Sequence, residues 1–175
     1  MEKCRMITID ASTTATGMAI FDNGIYNNVT FFELDSKKLN MDERFPLMTK
    51  WIYDTLEKYK PYIIYIEEAV VTRNAREQRF LARLQGVIYA YCLKNDCEFN
   101  TIVPTEWRKY SGIEQGGKKR PELKAAAIEL VKTKYGLMVS EDEAEAILIG
   151  YAVIKKFEEL EYKIKKQVKD KPACH

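Results

Sequence analysis

The sequence predicts one α/β domain with a mixed five-stranded sheet flanked by helices, and three observations support this prediction. Strand patterns open the chain at 4–10, 16–21 and 25–34, and Asp22-Asn23-Gly24 between the last two is a strong hairpin signal. Helical periodicity and short apolar runs then alternate along the chain. The 175 residues suit one domain with a single core, and 46% hydrophobic with 31% charged residues is a globular balance.

The predicted elements follow the order β-β-β-α-β-α-β-α-α, which fits a sheet with helices on its faces. Breakers and caps such as Pro61, Pro104, Gly136 and Ser140 separate the later elements. The six elements after the opening strands are expected at 41–59, 62–67, 74–94, 99–103, 121–135 and from 141 past Tyr151. The segment 107–120 contains three glycines, which predicts a loop or a short helix there.

Basic residues are concentrated in two places, although the net charge is only +2. Arg73, Arg76, Arg79 and Arg83 recur at intervals of three and four, which would place them on one helix face. Between 105 and 135 the chain has eight Lys or Arg against four Glu. Both patches fit a nucleic-acid phosphate backbone, and a solvated face is the alternative for either one.

Four acidic residues lie where a carboxylate is costly to bury. Asp10 and Glu67 each end an apolar strand, and Asp142 and Glu145 begin the buried stripe of the last helix. Active sites gather at strand ends in α/β sheets, so the four acids could converge in one cluster. Taken singly, each acid is also typical of a helix cap or a dipole partner.

A cluster of this composition predicts a site for hard divalent cations. Carboxylate oxygens suit Mg²⁺, with Mn²⁺ as the alternative. Two such ions about 3.5–4 Å apart support phosphodiester hydrolysis in two-metal sites. Zinc is disfavoured, because the cysteines at 4, 92, 97 and 174 form no Cys-x-x-Cys pair and His175 is the only histidine.

Three short motifs resemble the RuvC-type Holliday junction resolvases of the ribonuclease H-like superfamily. Residues 7–12 (Ile-Thr-Ile-Asp-Ala-Ser) and 16–20 (Thr-Gly-Met-Ala-Ile) are similar to that family's Ile-Asp-Pro-Gly-Ser and the Thr-Gly of its next strand. Residues 66–68 (Ile-Glu-Glu) resemble its Ile-Glu-Gln, and 142–149 resemble its Asp-Ala-Ala-Asp-Ala-Leu-Ala-Ile helix. The motifs occur in the family's order, although Ala-Ser replaces Pro-Gly and Glu145 stands where the family usually has Asp.

The resemblance implies a ribonuclease H-like fold and a magnesium-dependent endonuclease that resolves four-way DNA junctions by paired, symmetric nicks. Asp10, Glu67, Asp142 and Glu145 would be the catalytic acids and would bind two metal ions. The closest relatives would be phage or mobile-element resolvases, some of which cut branched DNA broadly. Glu68, Glu141 and Glu143 adjoin these acids, so the register of the site stays open.

The resemblance also implies a catalytic or phosphate-binding lysine ahead of the last acids, and Lys118, Lys119 and Lys124 are alternatives for it. A homodimer is expected, with helix 74–94 and its Gly86 at the interface, since a symmetric substrate calls for a symmetric enzyme. Intramolecular packing is the alternative for Gly86. The candidate DNA-binding residues are Arg73, Arg76, Arg79, Arg83, Lys118, Lys119, Arg120 and Lys124.

Two other functions compete with the nuclease. A non-catalytic branched-DNA-binding protein would use the arginine stripe and the lysines without a metal, but clustered carboxylates repel phosphate. A fragment of an actin-like ATPase is suggested by residues 10–17, which resemble the first phosphate loop of that family. The chain is shorter than such proteins require, and Asp142 and Glu145 would have no purpose there.

Domain limits and location follow from coarse features of the chain. The nuclease domain is expected at 1–158, followed at 159–175 by a lysine-rich tail or helix extension. The apolar runs are too short to span a bilayer, and no signal segment opens the chain, which predicts a cytoplasmic protein with no membrane partner. Reduced cysteines fit that compartment.

Overall fold

The structure, a computed structural model, describes residues 4–69 and 74–169, and five strands and five helices lie in this part of the chain. The strands are β1 (Arg5–Ala11), β2 (Ala15–Asp22), β3 (Ile25–Glu33), β4 (Ile63–Glu67) and β5 (Glu98–Ile102). The helices are α1 (Met41–Tyr59), α2 (Ala75–Lys94), α3 (Pro104–Ser111), α4 (Arg120–Tyr135) and α5 (Glu141–Lys169). All the predicted elements are found, and α3 is the short helix that is one of the two alternatives for the segment 107–120.

The five strands form one mixed sheet in the order β3-β2-β1-β4-β5, which confirms the predicted architecture. The three N-terminal strands are antiparallel neighbours, and Asn23 and Gly24 turn the hairpin between β2 and β3 with φ angles of 53° and 78°. β4 is parallel to β1, and β5 is parallel to β4. The carboxyl ends of β1, β4 and β5 therefore lie at one edge of the sheet.

Alternating side chains divide the interior into two cores. Ile7 and Ile9 of β1 pack on one face of the sheet against α1 and α2. On the other face α5 packs against the sheet, and Thr8 and Asp10 of β1 point to that side. Glu67 ends β4 at the same edge and on the same side. Strand parity therefore directs both strand-end acids toward α5.

Close contacts fix the beginning of α5 over the end of β1. The Thr8 hydroxyl donates a buried hydrogen bond of 2.7 Å to the carbonyl oxygen of Ala146. Gly17 pairs with Asp10 across the β1–β2 ladder, and a Cβ at Gly17 would lie only 2.2 Å from the Asp142 carbonyl oxygen. The absence of a side chain at Gly17 thus lets the first turn of α5 approach the sheet.

Predicted caps hold the helices that surround this edge. Ser140 and Glu143 form the expected capping box, since the Ser140 amide and hydroxyl donate to the Glu143 carboxylate at 2.8 Å and 2.7 Å. Gly136, with a φ of 69°, ends α4 as expected. The acidic first turn of α5 is therefore fixed by its own cap.

Helix α3 begins at Pro104, three residues earlier than the segment 107–120, for which the sequence predicts a loop or a short helix. The sequence pattern gives Pro104 only the role of closing β5, but Pro104 lies in the first turn of α3, where no N–H is needed. Gly112, with a φ of 83°, ends the helix. Because α3 follows β5 directly, it begins at the edge where Asp10 and Glu67 lie.

Helix α5 extends beyond the part that packs against the sheet. It continues to Lys169, so the expected domain limit at 158 falls inside a helix, and that limit stays a prediction. From Phe157 onward most of its described side chains are exposed. Within the described residues, no helix combines the length and apolar character needed to cross a membrane.

Candidate active site

A cleft of about 680 Å³ opens at the carboxyl edge of the sheet, and all four predicted acids line it. Asp10 comes from β1, Glu67 from β4, and Asp142 and Glu145 from the first two turns of α5. Three elements that are far apart in the chain thus contribute carboxylates to one opening. This arrangement is the convergence that the strand-end pattern predicts.

Three of the acids form a tight group. Asp10, Glu67 and Glu145 each offer an oxygen within 4.8 Å of the other two. Asp10 and Glu145 retain only 6% and 5% of their surface exposure, so little water is available to screen their charges. Asp142 lines the cleft beside the group. Glu68 is exposed, so the structure selects Glu67 as the strand-end acid of the group.

Burial and repulsion raise the pKa values of Asp10, Glu67 and Asp142. Loss of hydration is the largest cause for Asp10, and the charges of the neighbouring acids add to it, so its pKa lies well above the ordinary value. Burial also raises the pKa of Glu67, although a hydrogen bond from Trp107 acts in the opposite direction. The pKa of Asp142 is raised too, chiefly by burial. Asp10, Glu67 and Asp142 therefore hold protons more tightly than isolated carboxyls do.

The chemistry of the group fits a hard divalent cation. All its donor atoms are carboxylate oxygens, which suit Mg²⁺ or Mn²⁺, and no His or Cys in the described residues joins it. A bound cation would neutralise the repulsion that raises the pKa of Asp10. Asp10, Glu67 and Glu145 are the residues that would hold it, with Asp142 adjacent.

Helix α3 supports two of the acids through residues that the sequence pattern does not single out. The Trp107 indole N–H donates a 2.6 Å hydrogen bond to Glu67 Oε2. Arg108 Nη2 lies 3.5 Å from Glu145 Oε1, and its guanidinium stacks over the Trp107 ring at 4.7 Å. Arg108 Nε is buried without a hydrogen-bond partner among the described residues, and Arg108 lines the cleft. The only sequence signal for this pair is Pro104, as a possible first residue of a helix.

The structure distinguishes among the candidate lysines. Lys124 of α4 lines the cleft and pairs with Glu141, whereas Lys118 and Lys119 are exposed just before that helix and do not line it. Burial lowers the pKa of Lys124, but the hydrogen bond to Glu141 and the negative charges around it outweigh burial and raise it. Arg120 also lines the cleft.

The arginine stripe lies elsewhere. A second groove of about 290 Å³ lies between the N-terminal parts of α1 and α2 and is lined by Arg76, Arg79 and Arg83, with Asp42 as the one acid among the described residues that line it. The opposite side of α2, which includes Glu77 and Gln85, faces the acidic cleft instead. The remaining lining residues of the groove are Met41, Phe45 and Phe80. Arg73 falls outside the described residues.

Comparison with known proteins identifies the family. Residues 1–159 match the model of a protein family described as Lactococcus phage M3 protein. The chain belongs to this family. No curated protein sequence matches it. The expected kinship with phage proteins agrees with that description.

Solved structures of junction resolvases share the fold. Thermus thermophilus RuvC, in a complex with a Holliday junction substrate, superposes with a TM-score of 0.66 at 12% identity, covering 89% of this chain and 96% of RuvC. The yeast mitochondrial Holliday junction resolvase Ydc2 gives a TM-score of 0.61 at 18% identity, covering 93% of this chain and 83% of Ydc2. The predicted RuvC-like, ribonuclease H-like fold is thereby confirmed.

Asp10→Asn is expected to stabilise the metal-free protein at neutral pH. Folding raises the pKa of Asp10, so its contribution to the free energy of unfolding is present at acidic pH and is lost as the pH rises through the folded-state pKa. The introduced side-chain amide does not ionise, so the variant does not lose this stability as the pH rises. A gain of about 1 kcal/mol would raise the melting temperature of a chain of this size by roughly 2–4 °C. Thermal melts in EDTA at acidic and neutral pH measure it, and the gain should shrink at acidic pH.

Asp54→Asn is the matched control, because Asp54 is exposed and pairs only with Lys50 at the surface. Its effect should stay within about 0.5 kcal/mol at either pH. Added Mg²⁺ should raise the melting temperature of the wild type and of Asp54→Asn, but hardly that of Asp10→Asn. A lower melting temperature for Asp10→Asn than for the wild type at neutral pH in EDTA would contradict the repulsion argument.

Proposed function

We propose that this chain is a metal-dependent endonuclease that cuts branched DNA, with four-way junctions as its main substrate. The observation that carries the proposal is the group of three carboxylates, two buried and one partly buried, whose oxygens lie within 4.8 Å of one another. Two structures that share the fold support the substrate class: RuvC is in a complex with a Holliday junction substrate, and Ydc2 is named as a Holliday junction resolvase.

The acids have a defined task in this proposal. Asp10, Glu67 and Glu145 hold two Mg²⁺ or Mn²⁺ ions, with Asp142 as a further ligand. When bound, such ions stabilise the charge that develops on a phosphodiester and lower the pKa of the attacking water. The rigid positions of β1, β4 and α5 hold the ligands in place, and the limited exposure of the cleft strengthens every charge interaction within it.

Cationic side chains at the cleft complement the acids. Lys124, Arg108 and Arg120 all line it, and the raised pKa of Lys124 keeps Nζ protonated at neutral pH. These charges would hold the phosphates that flank the cut, and a lysine point charge near the scissile phosphate favours the negative charge that develops there. Lys124 is therefore our choice for the assisting lysine, ahead of Lys118 and Lys119.

The test is cleavage of a synthetic four-way junction with Mg²⁺, with Mn²⁺ and with EDTA, beside linear duplex and flap DNA. The wild type should make paired nicks near the crossover only when metal is present. Asp10→Asn should bind the junction normally but cut at least about a thousandfold more slowly, since metal-bound charge stabilisation is worth several kcal/mol. Asp54→Asn should cut like the wild type.

The results separate the proposal from its main competitor. Cutting of flaps and forks as well would support the same mechanism with a broader range of branched DNA substrates. The arginine groove is the observation that favours a non-catalytic binding protein. Tight junction binding without cutting in either metal would establish that alternative and end the nuclease proposal.

We further propose that the groove lined by Arg76, Arg79 and Arg83 holds a DNA backbone. Arginine forms bidentate hydrogen bonds to phosphate, and in the part of the chain that the structure describes the groove has three arginines and one acid, Asp42. Helix α2 separates this groove from the acidic cleft. DNA in the groove therefore lies beside the reacting strand, which suits a substrate with several arms.

Replacing Arg76 and Arg79 with Gln should weaken junction binding and lower its salt dependence. Two lost phosphate contacts should reduce the slope of log K against log salt by about 2. The control replaces Lys58 and Lys94 with Gln, because these lysines lie near the C-terminal ends of the same two helices. Fluorescence anisotropy across a salt series measures both, and equal slopes for the two double variants would contradict the groove assignment.

We also propose a homodimer formed through the outer face of α2. Helix α2 presents an uncharged stripe to solvent, because five exposed residues without charge recur at helical spacing. They are Ala82, Gly86, Tyr89, Ala90 and Leu93. Among the described residues, a Cβ at Gly86 would meet nothing within 4 Å, so packing within this part of the chain does not account for the glycine. A glycine at this position would allow α2 of a second copy to approach closely.

Light scattering at micromolar concentration should give twice the chain mass of 20.4 kDa. Gly86→Arg should shift the protein to monomer, because a bulky charge on the stripe blocks close approach. Gly116→Arg is the control, since Gly116 is equally open but lies in the segment before α4. A monomeric wild type, or a Gly86→Arg variant that remains dimeric, would contradict this interface.

A further inference from the structure

Trp107 is completely buried, and its single polar atom is used on one of the candidate metal ligands. Its side chain belongs to the core between α3, α5 and the sheet, with 0% exposure. The indole N–H reaches Glu67 Oε2 at 2.6 Å. A buried indole N–H requires a hydrogen-bond acceptor, and here the acceptor is the Glu67 carboxylate at the carboxyl edge of the sheet.

The hydrogen bond limits how the Glu67 carboxylate can rotate. The terminal torsion of a glutamate is broad, so an unsupported carboxylate turns freely about its last bond. A hydrogen bond to an ionised acceptor is short and strong, which fits the observed 2.6 Å. Because a carboxylate has two oxygens and about four acceptor positions, the indole occupies one position and leaves the others for a cation.

The indole is held by a direct contact with Arg108 and by the docking of helix α3. Arg108 stacks over its ring at 4.7 Å and reaches Glu145 at 3.5 Å. The Ser111 hydroxyl at the end of α3 donates a 3.2 Å hydrogen bond to the Leu148 carbonyl oxygen of α5. Consecutive residues of α3 therefore support ligands from β4 and from α5, and the orientation of the indole follows from the docking of the whole helix.

We propose that Trp107 is the positioning residue of Glu67, and that its indole N–H sets the orientation in which this carboxylate binds a divalent cation. The inference rests on the proposed metal site and goes beyond it by assigning a task to a side chain that does not bind the metal. It also makes Trp107 an intrinsic reporter, because its ring N–H donates a hydrogen bond directly to a carboxylate oxygen of a proposed metal ligand.

Calorimetric titration with Mn²⁺ alone tests the affinity. Trp107→Phe keeps an aromatic ring but loses the donor, and its Mn²⁺ affinity should fall by about tenfold, the scale found when partners of metal ligands are removed. Trp51→Phe is the matched control, because Trp51 stacks on Phe32 and lines neither the cleft nor the arginine groove. Its affinity should equal that of the wild type.

A shape-conserving replacement separates positioning from packing. The chain has two tryptophans, so in Trp51→Phe protein a benzothiophene analogue of tryptophan can be incorporated at position 107 alone. The analogue keeps the fused ring and lacks the N–H. It should lose Mn²⁺ affinity as Trp107→Phe does, with little change in melting temperature. In the same background with natural Trp107, Mn²⁺ should quench the indole fluorescence with the dissociation constant found by calorimetry.

Each outcome decides between the two proposals. Wild-type affinity in the analogue-containing protein would overturn the positioning role while the metal site stands, because packing alone would then explain any loss in Trp107→Phe. Mn²⁺ binding without a fluorescence change in Trp51→Phe protein would also count against the reporter. No binding of Mn²⁺ to the wild type would overturn both the metal site and the inference.

Discussion

Three carboxylates that repel one another are held within 4.8 Å at a place with little water, and much of the surrounding architecture follows from this constraint. Isolated in solution, such groups would move apart or take up protons. Here they are attached to three rigid elements that cannot separate without breaking the sheet or undocking α5. The energy of folding thus maintains an arrangement that is unfavourable until a cation enters.

Two kinds of contact support the acidic cluster: a hydrogen bond that joins the elements carrying the acids, and contacts made to the acids themselves. The Thr8 bond to the Ala146 carbonyl joins β1 to α5 between the acids that each element carries. Helix α3 adds a hydrogen-bond donor for Glu67 and a positive charge for Glu145. None of these contacts neutralises the group, so the protein fixes the positions of the acids and leaves their charge for a ligand.

Much of the fold and the acids of the site could be predicted because their signals are local. Strand-end acids, the Asn23-Gly24 turn and the Ser140 cap each depend on neighbouring residues only, and strand parity then directs Asp10 and Glu67 to one side. Trp107 could not be found this way, because its partner is 40 residues away and its own surroundings resemble an ordinary core position. The sequence could not distinguish among the lysines at 118, 119 and 124 for a related reason. Only the docking of α4 decides which of them reaches the cleft. The arginine spacing predicts a shared face, but not which of two grooves that face borders.

Gly17 shows how a position without chemistry can be as restricted as a catalytic one. It offers no ligand and no charge, yet a single added carbon would overlap the main chain at Asp142, which has no flexible end to move aside. Relief would require the first turn of α5 to lift, and that movement would withdraw two acids from the cleft. An exchange of Asp for Glu at this edge changes the reach of one ligand, whereas a side chain at position 17 would displace two ligands at once. The space beneath the first turn of α5 is therefore as much a part of the acidic cleft as the carboxylates that line it.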